Sequence, residues 1–233
     1  MTPLLLDLDG TLVDSAQDLA GAVNSVLVEL GLAPLPQATL MSFVGRGARS
    51  LVRRAIEHAD PDGKISRDDV ILRRFLGHYK QVMLQHTVPF PGVSAGLKRL
   101  RAAGVPMAIV SNKPEEPTLL ISEALGLSPF FGATLGGDST DHKKPSARPL
   151  EVAAERLGVA LTDCVMVGDS DVDIAAAEAA GIPGVWVTWG GIHPDRPPKA
   201  EHVAHSFDAI VEIGLGGIDC LTSSFEDRAP DSA

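Results

Sequence analysis

A chain of 233 residues can bury a full core, either as one domain with an insertion or as two small domains. Its 45% hydrophobic and 21% charged residues are ordinary for a globular protein, and a net charge of −10 excludes the basic balance that nucleic-acid backbones require. An anionic ligand must then be drawn in by a local cation rather than by the field of the whole molecule.

No apolar run approaches the roughly 18 residues that span a bilayer. No charged stretch precedes an apolar one at the start of the chain, so the expectation is a cytoplasmic protein with neither membrane nor nucleic-acid partners. Cys164 and Cys220 are expected to be reduced, buried thiols rather than a disulfide.

The chain opens on LLLDLDGTLVDS, Leu4 to Ser15. Leu4, Leu5, Leu6 and Leu8 are too short a run for a helix and suit a strand buried on both faces of a parallel sheet. Asp7 and Asp9 fall at its end. Residues two apart on an extended chain point the same way, so their carboxylates are expected to share one small volume. Two unit charges about 4 Å apart repel by roughly 1 kcal/mol in water and roughly 4 kcal/mol at an effective dielectric of 20, a cost that a divalent metal removes. Gly10 and Thr11 add a tight turn whose backbone N–H groups are expected to be free to hold an oxyanion. Asp-x-Asp-Gly after a strand is also ordinary turn chemistry, and the rest of the chain must decide between the two.

Asp14 or Ser15 caps a predicted helix marked by Leu19, Val23, Val26, Leu27 and Leu30, which Gly31 ends before Pro34 and Pro36. A segment from Thr39 to Phe43 leads into Gly45-Arg46-Gly47, and Leu51, Val52, Ala55 and Ile56 mark another helix. Ser66 and Asp69 resemble a capping box opening a long helix through Phe75, Tyr79, Val82 and Met83. The chain from 16 to 86 thus reads as helix alone.

From Val88 the pattern changes. The connector VPFPGV precedes a helix ending at Gly104, a strand from Val105 to Asn112, a helix through Leu119 to Leu125 and a short strand near Ala133 to Gly136. After the loop DSTDHKKP come a helix from Pro149 to Leu157, a strand from Cys164 to Asp169, a helix from Asp173 to Ala180 and the strand GVWVTWG. Strands alternating with helices imply βαβ units and a parallel sheet. The expected architecture is an α/β, Rossmann-like core of residues 1–15 and 87–221, with an all-helical cap of residues 16–86 inserted after the first strand. Residues 222–233 read as a disordered polar tail. There are no internal repeats.

Ligands of open α/β sheets bind at the carboxyl ends of the strands. Those ends carry Asp7 and Asp9, then Ser111 and Asn112, then Lys144, then Asp169 and Asp173. Ser111 offers a hydroxyl and Asn112 an amide to a phosphoryl oxygen, although Ser-Asn after a strand also serves as a helix cap. Lys143 and Lys144 are equal candidates by composition. Asp169 and Asp173 suit the start of a helix, and Asp169 also stands where a third carboxylate of an oxygen-rich metal site would stand.

DLDGT at Asp7 to Thr11, VSN at Val110 to Asn112, KKP at Lys143 to Pro145 and GDSDVD at Gly168 to Asp173 resemble the four motifs of the haloacid dehalogenase superfamily, in order and over nearly the whole chain. The helical insertion resembles its small helical cap. VPFPGV, LGGDSTDHKKP, GDSDVDIAAAEAAG and the cap sequence FVGRGA are similar to the bacterial phosphoglycolate phosphatases of that superfamily, with one departure, Ala147, where that group usually has Pro.

The resemblance implies a phosphomonoester hydrolase with Asp7 as nucleophile forming a phosphoaspartate and Asp9 as general acid and base. It further implies Mg²⁺ held by Asp7, the Asp9 backbone carbonyl and Asp169, with Asp173 orienting the metal's surroundings. Ser111, Asn112 and Lys144 would hold the phosphoryl oxygens beside the Gly10-Thr11 turn. The implied substrate is a small phosphorylated metabolite, 2-phosphoglycolate first, with Gly45 and Arg46 of the cap setting specificity. The Gly45 backbone N–H is expected to count for more than the Arg46 side chain. Other small phosphate esters, a phosphosugar mutase, a dehalogenase and a non-enzymatic phospho-acceptor module are the alternatives. The dehalogenase is disfavoured by Asp9, and the acceptor module by the insertion.

Overall fold

A computed structural model of the chain describes residues 1–65, 69–190 and 199–218. Strand β1 (Leu4–Leu6) opens the core, and β2 (Val13–Asp14) leads out to helices α1 (Ala16–Glu29), α2 (Gln37–Met41), α3 (Ala48–Ala59) and α4 (Asp69–Val82). The chain returns through β3 (Val88–Pro89). Then follow α5 (Val93–Ala102), β4 (Met107–Val110), α6 (Glu115–Ala124), β5 (Ala133–Leu135), α7 (Arg148–Leu157) and β6 (Val165–Gly168). The described part ends with α8 (Asp171–Ala180), β7 (Gly184–Val187), β8 (His202–Ala204) and α9 (Phe207–Gly216).

Six strands form one parallel sheet in the order β5-β4-β1-β6-β7-β8. The leucine run explains why β1 is central. Leu4 and Leu6 pack with Leu97, Val211 and Ile213 on one face, and Leu5 with Leu150, Ala153 and Ala176 on the other. A strand apolar at every position has no solvated face to offer and takes a middle place. Burying each such side chain contributes about 1.5–3 kcal/mol. From β1 the chain builds outward to β4 and β5, then crosses back to lay β6 on the other side of β1. The crevice at the carboxyl ends of β1 and β6 is therefore the topological switch point, where open α/β sheets bind ligands.

The first strand is shorter than its leucines predict. It stops at Leu6 because the Leu8 carbonyl accepts the N–H groups of Thr11, Leu12 and Val13 at 3.3, 2.9 and 3.0 Å, which turns the chain. Helices α1 to α4 pack on one another and form the inserted block. Its two connections to the core lie side by side, with β2 and β3 paired antiparallel and Val13 opposite Pro89. Asp18 ties the same junction. Its carboxylate accepts the His86 and Thr87 N–H groups at 3.0 and 2.9 Å and the Thr87 hydroxyl at 2.8 Å, and it lies 2.8 Å from His86 Nδ1.

Strand β8 and helix α9 complete the sheet beyond the last strand that the sequence predicts. Cys164 is a free, buried thiol. Ser66 of the expected capping box, Cys220 and the tail lie outside the described residues. Among the described residues no helix is long and apolar enough to cross a membrane.

Candidate active site

Asp7 follows β1 directly and donates its N–H to the Val167 carbonyl of β6 at 2.9 Å, so the sheet itself fixes its backbone. Lys144 comes to it from the loop before α7. Its Nζ lies 2.9 Å from Asp7 Oδ1 and 2.6 Å from Asp173 Oδ1, and it donates to the Val110 carbonyl at 2.6 Å. Lys144 is buried, whereas Lys143 is exposed and donates to the Arg46 carbonyl at 2.9 Å. The pair that composition left equal is thus separated by position.

Asp173 serves twice. Its Oδ2 accepts the Ser170 N–H at 3.1 Å and the Ser170 hydroxyl at 2.6 Å, closing a capping box at the start of α8, while Oδ1 takes Lys144. Asp7, Asp169 and Asp173 each bring a carboxylate oxygen within 4.8 Å of the others. The Asp9 side chain is not in this group. Burial pushes the Asp7 carboxyl up to about 6, against the nearby Lys144 charge. Burial, with the charges of Asp173 and Asp7 added, pushes Asp169 well above the usual carboxylate range.

Asp7 and Asp9 line one cleft, but their carboxylates do not share a cation. Asp9 is turned to a different cation, because Lys113 Nζ lies 3.0 and 2.7 Å from its two oxygens and the Ser15 hydroxyl donates to Oδ1 at 2.5 Å. Ser15, anticipated as a helix cap, makes no capping bond. The Asp14 carboxylate accepts the Ala16 N–H at 3.1 Å instead. Lys113 is the functional residue that the sequence reading missed. Burial acts to lower its proton affinity, but the Asp9 charge outweighs it and holds the ammonium above the ordinary lysine range. The available signal was a lysine directly after Ser111-Asn112 at a strand end.

The Gly10-Thr11 turn also departs from expectation. The Gly10 N–H donates to the Val13 carbonyl at 2.9 Å and the Thr11 N–H to Leu8 at 3.3 Å, so neither is free for an oxyanion. The Thr11 hydroxyl is the polar group left without a partner there. Asn112 lines the cleft, but its amide nitrogen is committed, donating to the carbonyls of Gly45 and Lys144 at 2.9 and 2.8 Å. Ser111 faces the cleft.

The cap rests on the core through the loop before α3. Besides the Gly45 carbonyl, Arg46 contributes an ion pair to Asp171 at 2.9 Å, about half exposed on both sides. Arg46 is thus a cap-to-core tie rather than a cleft residue. Gly47 has φ 85°, and a Cβ there would stand 3.0 Å from the Asn112 carbonyl oxygen, so only glycine lets the backbones approach this closely. Between cap and core lies an open cleft lined by Asp7, Asp9, Ser111 and Lys113 below and by Val44, Leu51, Phe75 and Tyr79 above.

Both Asp169 carboxylate oxygens are buried without a hydrogen-bond partner among the described residues. Gly190 closes over them, since a Cβ at that position would stand 2.4 Å from Asp169 Oδ2. A buried carboxylate without donors beside two more carboxylates is a donor set for a hard cation, all oxygen and net negative. The residues present therefore fit a divalent metal.

Residues 4–187 match the family model described as haloacid dehalogenase-like hydrolase, and the chain belongs to that family. It is a hydrolase, with its site at the switch point of the sheet. Among its relatives, a phosphoglycolate phosphatase of Chromobacterium violaceum is 43% identical over 187 residues, covering 79% of this chain and 83% of that protein. A plasmid-encoded phosphoglycolate phosphatase of Cupriavidus necator is 40% identical over 211 residues, covering 90% and 91%. A crystal structure titled "predicted phosphoglycolate phosphatase" from Haemophilus somnus 129PT superposes with a TM-score of 0.84 at 30% identity, covering 91% of this chain and 97% of that one.

Proposed function

We propose that the protein is a Mg²⁺-dependent phosphatase acting on 2-phosphoglycolate through a phosphoaspartate at Asp7. The observation that carries this reading is the buried group of Asp7, Lys144, Asp173 and the unpartnered Asp169 at the switch point, beneath a small cap. Its relatives' names supply the substrate.

Asp7 is fixed by the sheet so that one carboxylate oxygen can attack phosphorus while the bond from phosphorus to the glycolate oxygen breaks. Lys144, a cation with no freedom to swing away, offsets charge on Asp7 and on the transferring group. Asp9 gives the departing oxygen its proton and later takes one from the water that attacks the phosphoaspartate, which releases phosphate and restores Asp7. Asp7, the Asp9 carbonyl and Asp169 would hold Mg²⁺, which when bound neutralises charge on the phosphoryl oxygens. The apolar cap excludes bulk water from the cleft and strengthens these interactions.

A kcat/KM panel over 2-phosphoglycolate, hexose phosphates, nucleoside monophosphates and pyrophosphate tests the substrate. The expected leader is 2-phosphoglycolate. Another compound ahead by about tenfold, a difference of about 1.4 kcal/mol in transition-state binding, removes the substrate and leaves the phosphatase. Asp7→Asn abolishes turnover of every member, and a variant that turns over rapidly removes the mechanism.

A further inference from the structure

Two polar groups in the cleft are not used by the steps described above. Lys113 is 5% exposed in its side chain, with its Nζ on both oxygens of Asp9 and 4.6 Å above the Tyr79 ring. Tyr79 is 3% exposed and lines the cap side of the same cleft, and its hydroxyl has no acceptor, because the polar group beside it, the Lys113 ammonium, can only donate. Every other cap side chain at the cleft, from Leu19, Val44, Ala48, Leu51, Phe75 and Leu76, is apolar, and Gly45 and Gly47 present only backbone.

A buried phenol hydroxyl without a partner costs about 1–3 kcal/mol, so a cleft that keeps one gains when a ligand satisfies it. The position of Lys113 creates a second demand. Asp9 can serve the departing oxygen only when its own oxygens are released from the ammonium, and a buried ammonium gives up one anion only for another. A carboxylated leaving group answers both demands. In 2-phosphoglycolate the carboxylate is one carbon from the ester oxygen, so a cation adjacent to the acid that serves that oxygen is also adjacent to the carboxylate.

We propose that Lys113 and the Tyr79 hydroxyl form the subsite for the leaving group's carboxylate, and that this carboxylate takes Lys113 from Asp9 and thereby releases Asp9 for proton transfer. The assignment rests on the phosphatase reading above and adds to it a specificity pair. Discrimination against an uncharged leaving group then falls on kcat as well as KM, because a neutral substrate leaves Lys113 on Asp9.

The test compares 2-phosphoglycolate with ethyl phosphate, which has the same two-carbon ester and no carboxylate, in wild type, Lys113→Met and Tyr79→Phe. Wild type should prefer 2-phosphoglycolate by about 100-fold in kcat/KM with part of that in kcat, as expected for charge-assisted hydrogen bonds lost from a buried site. Lys113→Met should shrink the preference about tenfold or more and Tyr79→Phe about threefold or more, by loss of the same contacts. Tyr79→Phe removes one hydroxyl and keeps the packed ring, so it keeps the test in force if Lys113→Met fails to fold. An unchanged preference in Tyr79→Phe, or in a folded Lys113→Met, overturns the assignment. If a longer carboxylated ester such as 3-phosphoglycerate leads instead, the substrate falls and Lys113 is judged by the same ratio against propyl phosphate. Should wild type hydrolyse carboxylated and neutral esters alike, the subsite is overturned while the phosphatase stands.

Discussion

Lys144 lies 2.6 Å from Asp173, and the carboxylate that receives it is the one that closes the capping box of α8. One helix start therefore aims the lysine at Asp7. Lys144→Met should lower kcat/KM with 2-phosphoglycolate by about a thousandfold or more, because it removes a fixed cation from the transferring group. It should also destabilise the fold by about 3–5 kcal/mol through the unpaired buried carboxylates that it leaves. Lys143→Met, at an exposed side chain, should stay near wild type on both counts. Equal losses in the two variants, by kinetics and thermal melting, would assign the wrong lysine.

Binding of Mg²⁺ should register in the melting curve without any turnover. A ligand that binds only the folded state adds about 2.7 kcal/mol at a hundred times its dissociation constant. Wild type should therefore melt higher in Mg²⁺, and Asp169→Asn should lose most of that rise. The same rise in the variant would place the ion elsewhere.

Asp18 gives the fold a pH dependence of calculable sign. Burial alone would raise its carboxyl, but the donors of His86 and Thr87 outweigh burial and hold it below the usual range. A depressed folded value means that the ion is stabilised by folding. That stability is complete above the unfolded value of about 3.9 and is lost as pH falls through the folded one. Asp18→Asn should cost about 2 kcal/mol at neutral pH, by loss of charged hydrogen bonds. Wild type and variant should draw together in melting temperature as pH falls below the unfolded value of about 3.9 and through the lower folded one. A gap that persists unchanged in acid would refute the role of the charge.

The cap loop separates a backbone requirement from a side-chain one. Gly47→Ala meets both the left-handed φ and the Asn112 carbonyl, so kcat/KM should fall by about tenfold or more as the cap is displaced. Arg46→Ala removes only a half-exposed ion pair worth about 0–1 kcal/mol and should cost at most about fivefold. Steady-state kinetics in which Arg46→Ala is the worse variant would reverse this ranking.

What could be read from the chain followed from where groups stand along it. The leucine run announced a central strand, and Asp7, Asp169 and Ser111 were found because chemistry at the ends of parallel strands needs no long-range information. Lys144 was narrowed to a pair for the same reason, the motif resemblance chose it from the two, and burial sets the two apart. Lys113 and Asp9 are 104 residues apart, and nothing local tells a lysine after a strand from a solvated one. Ser15 had an ordinary local use as a cap, which the packing set aside in favour of Asp9. The Gly10 and Thr11 N–H groups were misjudged because the turn closes on itself through Leu8 and Val13. Strand β8 escaped notice because three residues at a sheet edge, two half-buried and one buried, carry little periodicity.

The paired β2 and β3 segments govern how this enzyme can move. A lid on one connection can swivel freely, and one on two separate connections can also shear. Here both connections are zipped together at the point where Asp18 clasps the returning chain, so a cap that moved would rock about a single axis. Ser15, which holds Asp9, stands on the outgoing connection at the foot of that axis. A swing of the cap would thus begin one residue from a hydroxyl bonded to Asp9 and, on the reading of Asp9 as proton donor, would tug on the group that must be reset for the next round.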